Sequence, residues 1–264
     1  MATTLPLYQI DAFSQHVFGG NPAAIVPLES WLDEAVMQSI AAENNLAETA
    51  FFVPHSGEEA DYELRWFTPT VEVELCGHAT LATAWLLFHE LGYARETVRF
   101  NSRSGVLHAR RQGAAVCIDL PARASVACAC PLALSAGLGI VPASVRSGAN
   151  LIAVFETEAE IRALTPDFLM LAKLHPQGVI VTAPGNEADV VSRFFGPSFG
   201  INEDPVTGSA HADLAPYWCE RLGHDRFSAQ QLSARGGHLQ VQLSADRVLL
   251  TGAAVLYLKG RIQA

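Results

Sequence analysis

The chain has 264 residues, more than one compact core usually holds, so two domains of ordinary size or one large domain are expected. Half of its residues are hydrophobic and 17% are charged, which excludes a disordered or fibrous protein. A formal net charge of −10, with no cluster of Lys or Arg to offset it, argues against a nucleic-acid partner because a phosphate backbone would be repelled.

In chain order, the opening MATTLPLYQIDAF has neither the basic start nor the apolar core of an export leader. No run of about 18 uncharged apolar residues follows, so no membrane span and a cytoplasmic location are expected. A helix over 32–44 leads into a strand over 48–53 that Pro54 ends. The stretch CGHATLATAW, Cys76 to Trp85, then opens a segment that is apolar on nearly every face. A helix over 78–91 with Ala79, Leu81, Ala82, Ala84, Trp85, Leu86, Leu87 and Phe88 must be buried all round. It would be about 21 Å long at about 1.5 Å per residue, and a sheet curved around it would satisfy it, with Gly92 as its stop. Alternating runs over 98–100, 105–110 and 115–120 supply such strands.

The second half repeats the first. Phe67-Thr68-Pro69, Gly77-His78-Ala79, Leu91-Gly92 and Ser102-Arg103-Ser104-Gly105 are answered in the same order by Phe195-Gly196-Pro197, Gly208-Ser209-Ala210, Leu222-Gly223 and Ala234-Arg235-Gly236-Gly237. A helix over 166–174 again precedes a strand, over 179–183, that ends in a proline, Pro184. The second central helix, over 209–222, contains Pro216, which removes one backbone hydrogen bond and predicts a kink. A repeat of about 120 residues is too long for a solenoid. It predicts two pseudo-symmetric α+β domains, each a curved mixed sheet around one central helix. Their expected spans are 1–121, completed by 255–264, and 122–254.

A helix start leaves unpaired N–H groups and a partial positive charge, so two such starts facing one cleft would cradle a carboxylate. Gly77 and Gly208 would let a ligand approach the backbone, with Ala79, Thr207 and Ser209 beside them. Three groups around this cradle can move or hold protons: Glu48, His78 and Asp204. Each also has a structural explanation, as a strand-end carboxylate, a helix cap and a turn starter before Pro205, while Thr207 and Ser209 can be capping residues.

Five cysteines, an odd number without CxxC spacing, suggest neither a disulfide framework nor a zinc finger. A racemase using two opposed cysteines would pair Cys76 with the repeat's equivalent position, which is Thr207 and cannot serve. His78 has no HxxxH or HxH companion, so no metal is expected, and Cys76 is assigned to packing.

Several segments together resemble the PhzF-like family, named after the phenazine-biosynthesis isomerase. They are Ile10-Asp11-Ala12-Phe13, Gly19-Gly20-Asn21-Pro22-Ala23-Ala24, Asn45-Leu46-Ala47-Glu48-Thr49, Arg65-Trp66-Phe67-Thr68-Pro69 through Cys76-Gly77-His78-Ala79-Thr80, the run Glu203 to His211, and Arg235-Gly236-Gly237. The resemblance implies the diaminopimelate-epimerase-like fold, a homodimer and cofactor-free isomerisation of a small amino or hydroxy acid. It makes Glu48 the proton shuttle and puts His78 and Asp204 in the pocket. The chain departs from the family pattern at Ala47, where serine is common, and at Ala212 and Asp213. An isomerase working by general acid and base is the favoured reading. The alternative is a non-catalytic small-molecule-binding protein that retains the cleft, against which stands the complete set of Glu48, His78 and Asp204.

Overall fold

Two runs that are polar only at their starts, Asn21–Pro27 and Glu48–Pro54, lie side by side as parallel strands, with Ala23 opposite Glu48 and Val26 opposite Phe51. Strands so apolar must be covered on both faces. In this computed structural model, which describes residues 3–174 and 176–264, helix Glu34–Asn44 packs its Met37, Ile40 and Ala41 against Val26, Phe51, Val53 and Phe67. Helix Gly77–His89 also packs against both strands, and against Thr4–Ala12 and Gly105–Gln112.

The chain forms two units, one ending at Asp119 and taking in Thr251–Ala264, the other Leu120–Leu250. In the first, Ala254–Gln263, Thr4–Ala12 and Asn21–Pro27 run antiparallel in that order. The parallel pair follows, then Tyr62–Phe67 antiparallel to Glu48–Pro54 and parallel to Thr97–Ser102. Thr97–Ser102, Gly105–Gln112 and Ala115–Pro121 close the series as an antiparallel meander. In the meander Val98, Phe100, Leu107 and Ala109 are buried while His108 and Arg110 face outward, the period of two that a half-covered strand requires.

The second unit repeats these joints. Leu151–Val154 is parallel to Val179–Pro184, which is antiparallel to Val190–Gly196. Val190–Gly196 is in turn parallel to Arg226–Gln231, followed antiparallel by Gly237–Ser244. Its central helix is Gly208–Leu222. Each unit is therefore a curved mixed sheet with a buried central helix, an α+β architecture.

The helix ends differ from the sequence expectation. The first central helix stops at His89, capped by Glu90, before the glycine proposed as its stop. Gly92 instead carries the chain away through a left-handed turn, φ 72°. The helix is buried along its length apart from Trp85, half-buried and stacked on His89, and His89 itself. The second central helix runs unbroken through Pro216. The ring of Pro216 leaves the carbonyl of Ala212 without its helical donor, and the Arg123 backbone N–H donates to that carbonyl at 3.3 Å.

Candidate active site

Cys76 has extended backbone, φ −139° and ψ 108°, and caps the first central helix. Gly77, His78 and Ala79 form its first turn, whose N–H groups have no partner within the helix. The first helical bond is from the Thr80 N–H to the Cys76 carbonyl, 3.1 Å, and the Thr80 hydroxyl donates to the same oxygen at 2.6 Å.

Glu48 is the first residue of its strand, reached as the preceding helix ends in a left-handed Asn45, φ 49°. Its side chain is only 13% exposed, and Oε2 lies 3.3 Å from Nε2 of His78, whose side chain is 5% exposed. On the other edge of the imidazole, Nδ1 is 3.2 Å from Nδ2 of Asn21 and 3.5 Å from Sγ of Cys76. An amide N–H can donate only to a bare ring nitrogen, so the Asn21 bond leaves the ring proton on Nε2, the nitrogen that faces Glu48. Burial pulls the His78 pKa down to about 3, so the ring is neutral at ordinary pH.

Asn21 is fully buried and is aimed by the turn before it. Gly20 has φ 65°, and a Cβ there would sit 2.1 Å from the Ala12 carbonyl oxygen, so only glycine fits. Buried Asp11 braces the same loop by accepting from the Phe18 N–H at 2.9 Å.

One ligand atom each from Glu48, Cys76 and His78 all lie within 4.8 Å of one another. The spacing argument against a metal considered only neighbours of His78 in sequence, whereas the third donor comes from a separate strand.

In the second unit, Asp204 ends strand Ile201–Asp204 and is 6% exposed. Its Oδ2 accepts from the Thr207 hydroxyl at 2.5 Å. Thr207 is the N-cap of the second central helix, and Gly208 and Ser209 open its first turn. Gln231, fully buried, ties the two together: Oε1 accepts from the Thr207 N–H at 2.9 Å, while Nε2 donates to the Asp204 carbonyl at 2.7 Å and to Thr207 Oγ1 at 3.2 Å. His211, one turn into the helix, donates through Nδ1 to the Thr207 carbonyl at 2.8 Å and approaches Ser192 Oγ at 3.4 Å through Nε2. Burial lowers its pKa to about 4. Asp213, also buried, accepts from Asn150 at 2.6 Å, and burial, outweighing that bond, pushes its carboxyl up to about 6.

Glu48 and His78 thus meet in the first unit, with Cys76 beside them, and Asp204 and Thr207 meet in the second. Sequence reasoning missed Asn21 and Gln231. Asn21 had a signal, since Gly19-Gly20-Asn21-Pro22 puts a polar residue directly after a forced turn. Gln231 had none, being an ordinary glutamine at a strand end.

Residues 10–260 match the family described as phenazine biosynthesis-like protein. An uncharacterized isomerase of Pseudomonas aeruginosa is 51% identical over 258 residues, with 98% of each chain covered. A crystal structure of a PhzF-family phenazine biosynthesis protein from Enterococcus faecalis is 46% identical and superposes with a TM-score of 0.94, covering 98% of this chain and 99% of that one. At 12% identity the likeness is of fold alone, as with a hydroxyproline epimerase of Agrobacterium vitis, TM-score 0.67, covering 98% of this chain and 91% of that one.

Proposed function

The chain belongs to the phenazine biosynthesis-like (PhzF) family, and from that premise we propose that it is a cofactor-independent isomerase moving a proton between carbons of a small amino- or hydroxy-acid-like substrate. The observation that carries this reading is the buried pair of Glu48 and His78, 3.3 Å apart. A poorly solvated carboxylate can both take and return a proton, and a neutral imidazole beside it can hold a polar substrate atom by hydrogen bonding through its N–H. Relatives named as isomerases support the reaction class.

In this reading the substrate carboxylate lies against the first-turn N–H groups of Gly77, His78 and Ala79, where helix polarity favours negative charge. Glu48 removes a proton from carbon. The charge left on the substrate is met by the His78 N–H. Glu48 then returns the proton to another carbon, so no oxidant or cofactor enters the balance. The domain spans, a homodimer and a cytoplasmic location remain proposals that accompany this one. Among the described residues no helix is long and apolar enough to cross a membrane.

The test is incubation with a panel of small cyclic and acyclic amino and hydroxy acids in D2O, followed by NMR. Deuterium entering a carbon-bound position of one class is the expected result. Saturable binding across the panel without any exchange would replace the enzyme with a binding protein.

A further inference from the structure

We infer that Glu48, Cys76 and His78 form a switch-off site for a borderline-soft divalent cation of the Zn2+ type, which binds at the helix start and silences the proton shuttle. The regulatory half rests on the proposed isomerase reading; the binding half does not.

The donor set is one thiol, one imidazole and one carboxylate, the mixture of sulfur, nitrogen and oxygen that zinc accepts. Bond lengths of about 2.3 Å to sulfur and about 2.0–2.2 Å to nitrogen or oxygen set neighbouring ligands of a tetrahedral shell about 3.5 Å apart. Cys76 Sγ and His78 Nδ1 stand 3.5 Å apart, and the three donors fall within 4.8 Å of one another. They are held by three different constraints: a strand start for Glu48, the N-cap for Cys76 and the first helical turn for His78. A second observation points the same way. Nδ1, the ring nitrogen nearest Cys76, carries no proton in the tautomer that Asn21 sets, so its lone pair can go to an ion in place of the Asn21 N–H. Three protein donors leave a fourth position open.

Binding forms a metal–thiolate bond at Cys76 and releases the thiol proton to solvent, one proton per ion. The same ion takes the Glu48 carboxylate as a ligand, so the base is no longer available to a carbon-bound proton. Cys76 therefore has no part in the uninhibited reaction and confers only its sensitivity to metal.

The experiment is titration of the full chain carrying Cys128→Ser and Cys130→Ser with Co2+ and Zn2+. This background removes the exposed Cys128 and the half-buried Cys130. Co2+ is followed by its thiolate charge-transfer band and Zn2+ by calorimetry. One equivalent is expected to bind, with the band lost and Zn2+ affinity reduced more than about tenfold by the further change Cys76→Ser. Glu48→Gln is expected to weaken binding while keeping the band. A band of full strength in the Cys76→Ser protein, or none in the parent, overturns the site, whether or not any substrate is known. Where a substrate is in hand, stoichiometric Zn2+ is expected to stop solvent-hydrogen exchange, a chelator to restore it, and Cys76→Ala to keep exchange within about tenfold of the native protein while resisting Zn2+. Undiminished exchange by the Zn2+-saturated native protein overturns the regulatory half alone.

Discussion

Glu48 must carry the proposed proton transfer without help from its neighbour as a base. With a pKa of about 3, His78 would cost on the order of 5 kcal/mol to protonate at pH 7, since each unit is worth about 1.36 kcal/mol. It is therefore a hydrogen-bond donor, and its tautomer is set by Asn21. Glu48→Gln keeps size and hydrogen bonding but removes the ionisable group. That variant is expected to bind ligand nearly normally by calorimetry and to lose turnover about a hundredfold or more in the D2O exchange assay. Exchange near the native rate would make Glu48 a structural strand-end carboxylate. Glu48 and His78 were legible in the sequence because each stands at the expected start of an element, a place where a polar side chain is exposed to a cleft or needed as a cap. Asn21 was less so, because a buried amide shows its purpose only when its partner is known.

Among the elements, the second helix start is held by a residue outside it. Gln231 lies on strand Arg226–Gln231 and spends its whole amide on Asp204 and Thr207. Leucine there would fill the space but leave the Thr207 N–H and the Asp204 carbonyl without those bonds. Each buried polar group so stranded costs about 1–3 kcal/mol. Gln231→Leu is accordingly expected to lower unfolding free energy by about 2 kcal/mol or more in urea titration, and a loss below about 0.5 kcal/mol would show that the clamp holds nothing. Helix Gly208–Leu222 illustrates the limit of pattern reading at this scale. Pro216 foretold a missing bond, but that the Arg123 N–H would meet the freed Ala212 carbonyl depends on a chain segment far away in sequence.

For the whole molecule, acid stability follows from three buried groups. His78 and His211, with pKa values of about 3 and about 4 in place of 6.5, stay neutral at pH 5 while folded but are mostly protonated once unfolded. Asp213, raised from 3.8 to about 6, does the reverse, holding a proton when folded and releasing it on unfolding. The unfolded chain thus binds two more protons at the histidines and one fewer at Asp213, one more in all. Stability therefore rises with pH near pH 5, by about 1.4 kcal/mol per unit from these groups. Asp213→Asn removes the opposing contribution, so the slope of unfolding free energy between about pH 4.5 and about pH 5.5 is expected to double. An unchanged slope in that variant would show that Asp213 is ionised in the folded protein.

Local pattern is enough to place several of this chain's helices and strands, because apolar period, prolines and glycines act within a few residues. The all-apolar segment after Cys76 reads as a buried helix, Val98 to Phe100 and Gly105 to Arg110 read as strands, and the order of these signals recurs after Phe195. The family resemblance, carried by short motifs along the same chain, follows from the sequence as well. What local pattern could not supply is proximity between distant side chains. Glu48 stands opposite Ala23 in a parallel register, and no neighbour in sequence says that Asn21 and Cys76 will flank the same imidazole. The exclusion of metal from the spacing around His78 failed to anticipate the cluster for the same reason. Side chains brought together by strand register and helix docking share no sequence period, so their grouping, the tautomer of His78 and the clamp of Gln231 are decided only when the sheet closes on its helix.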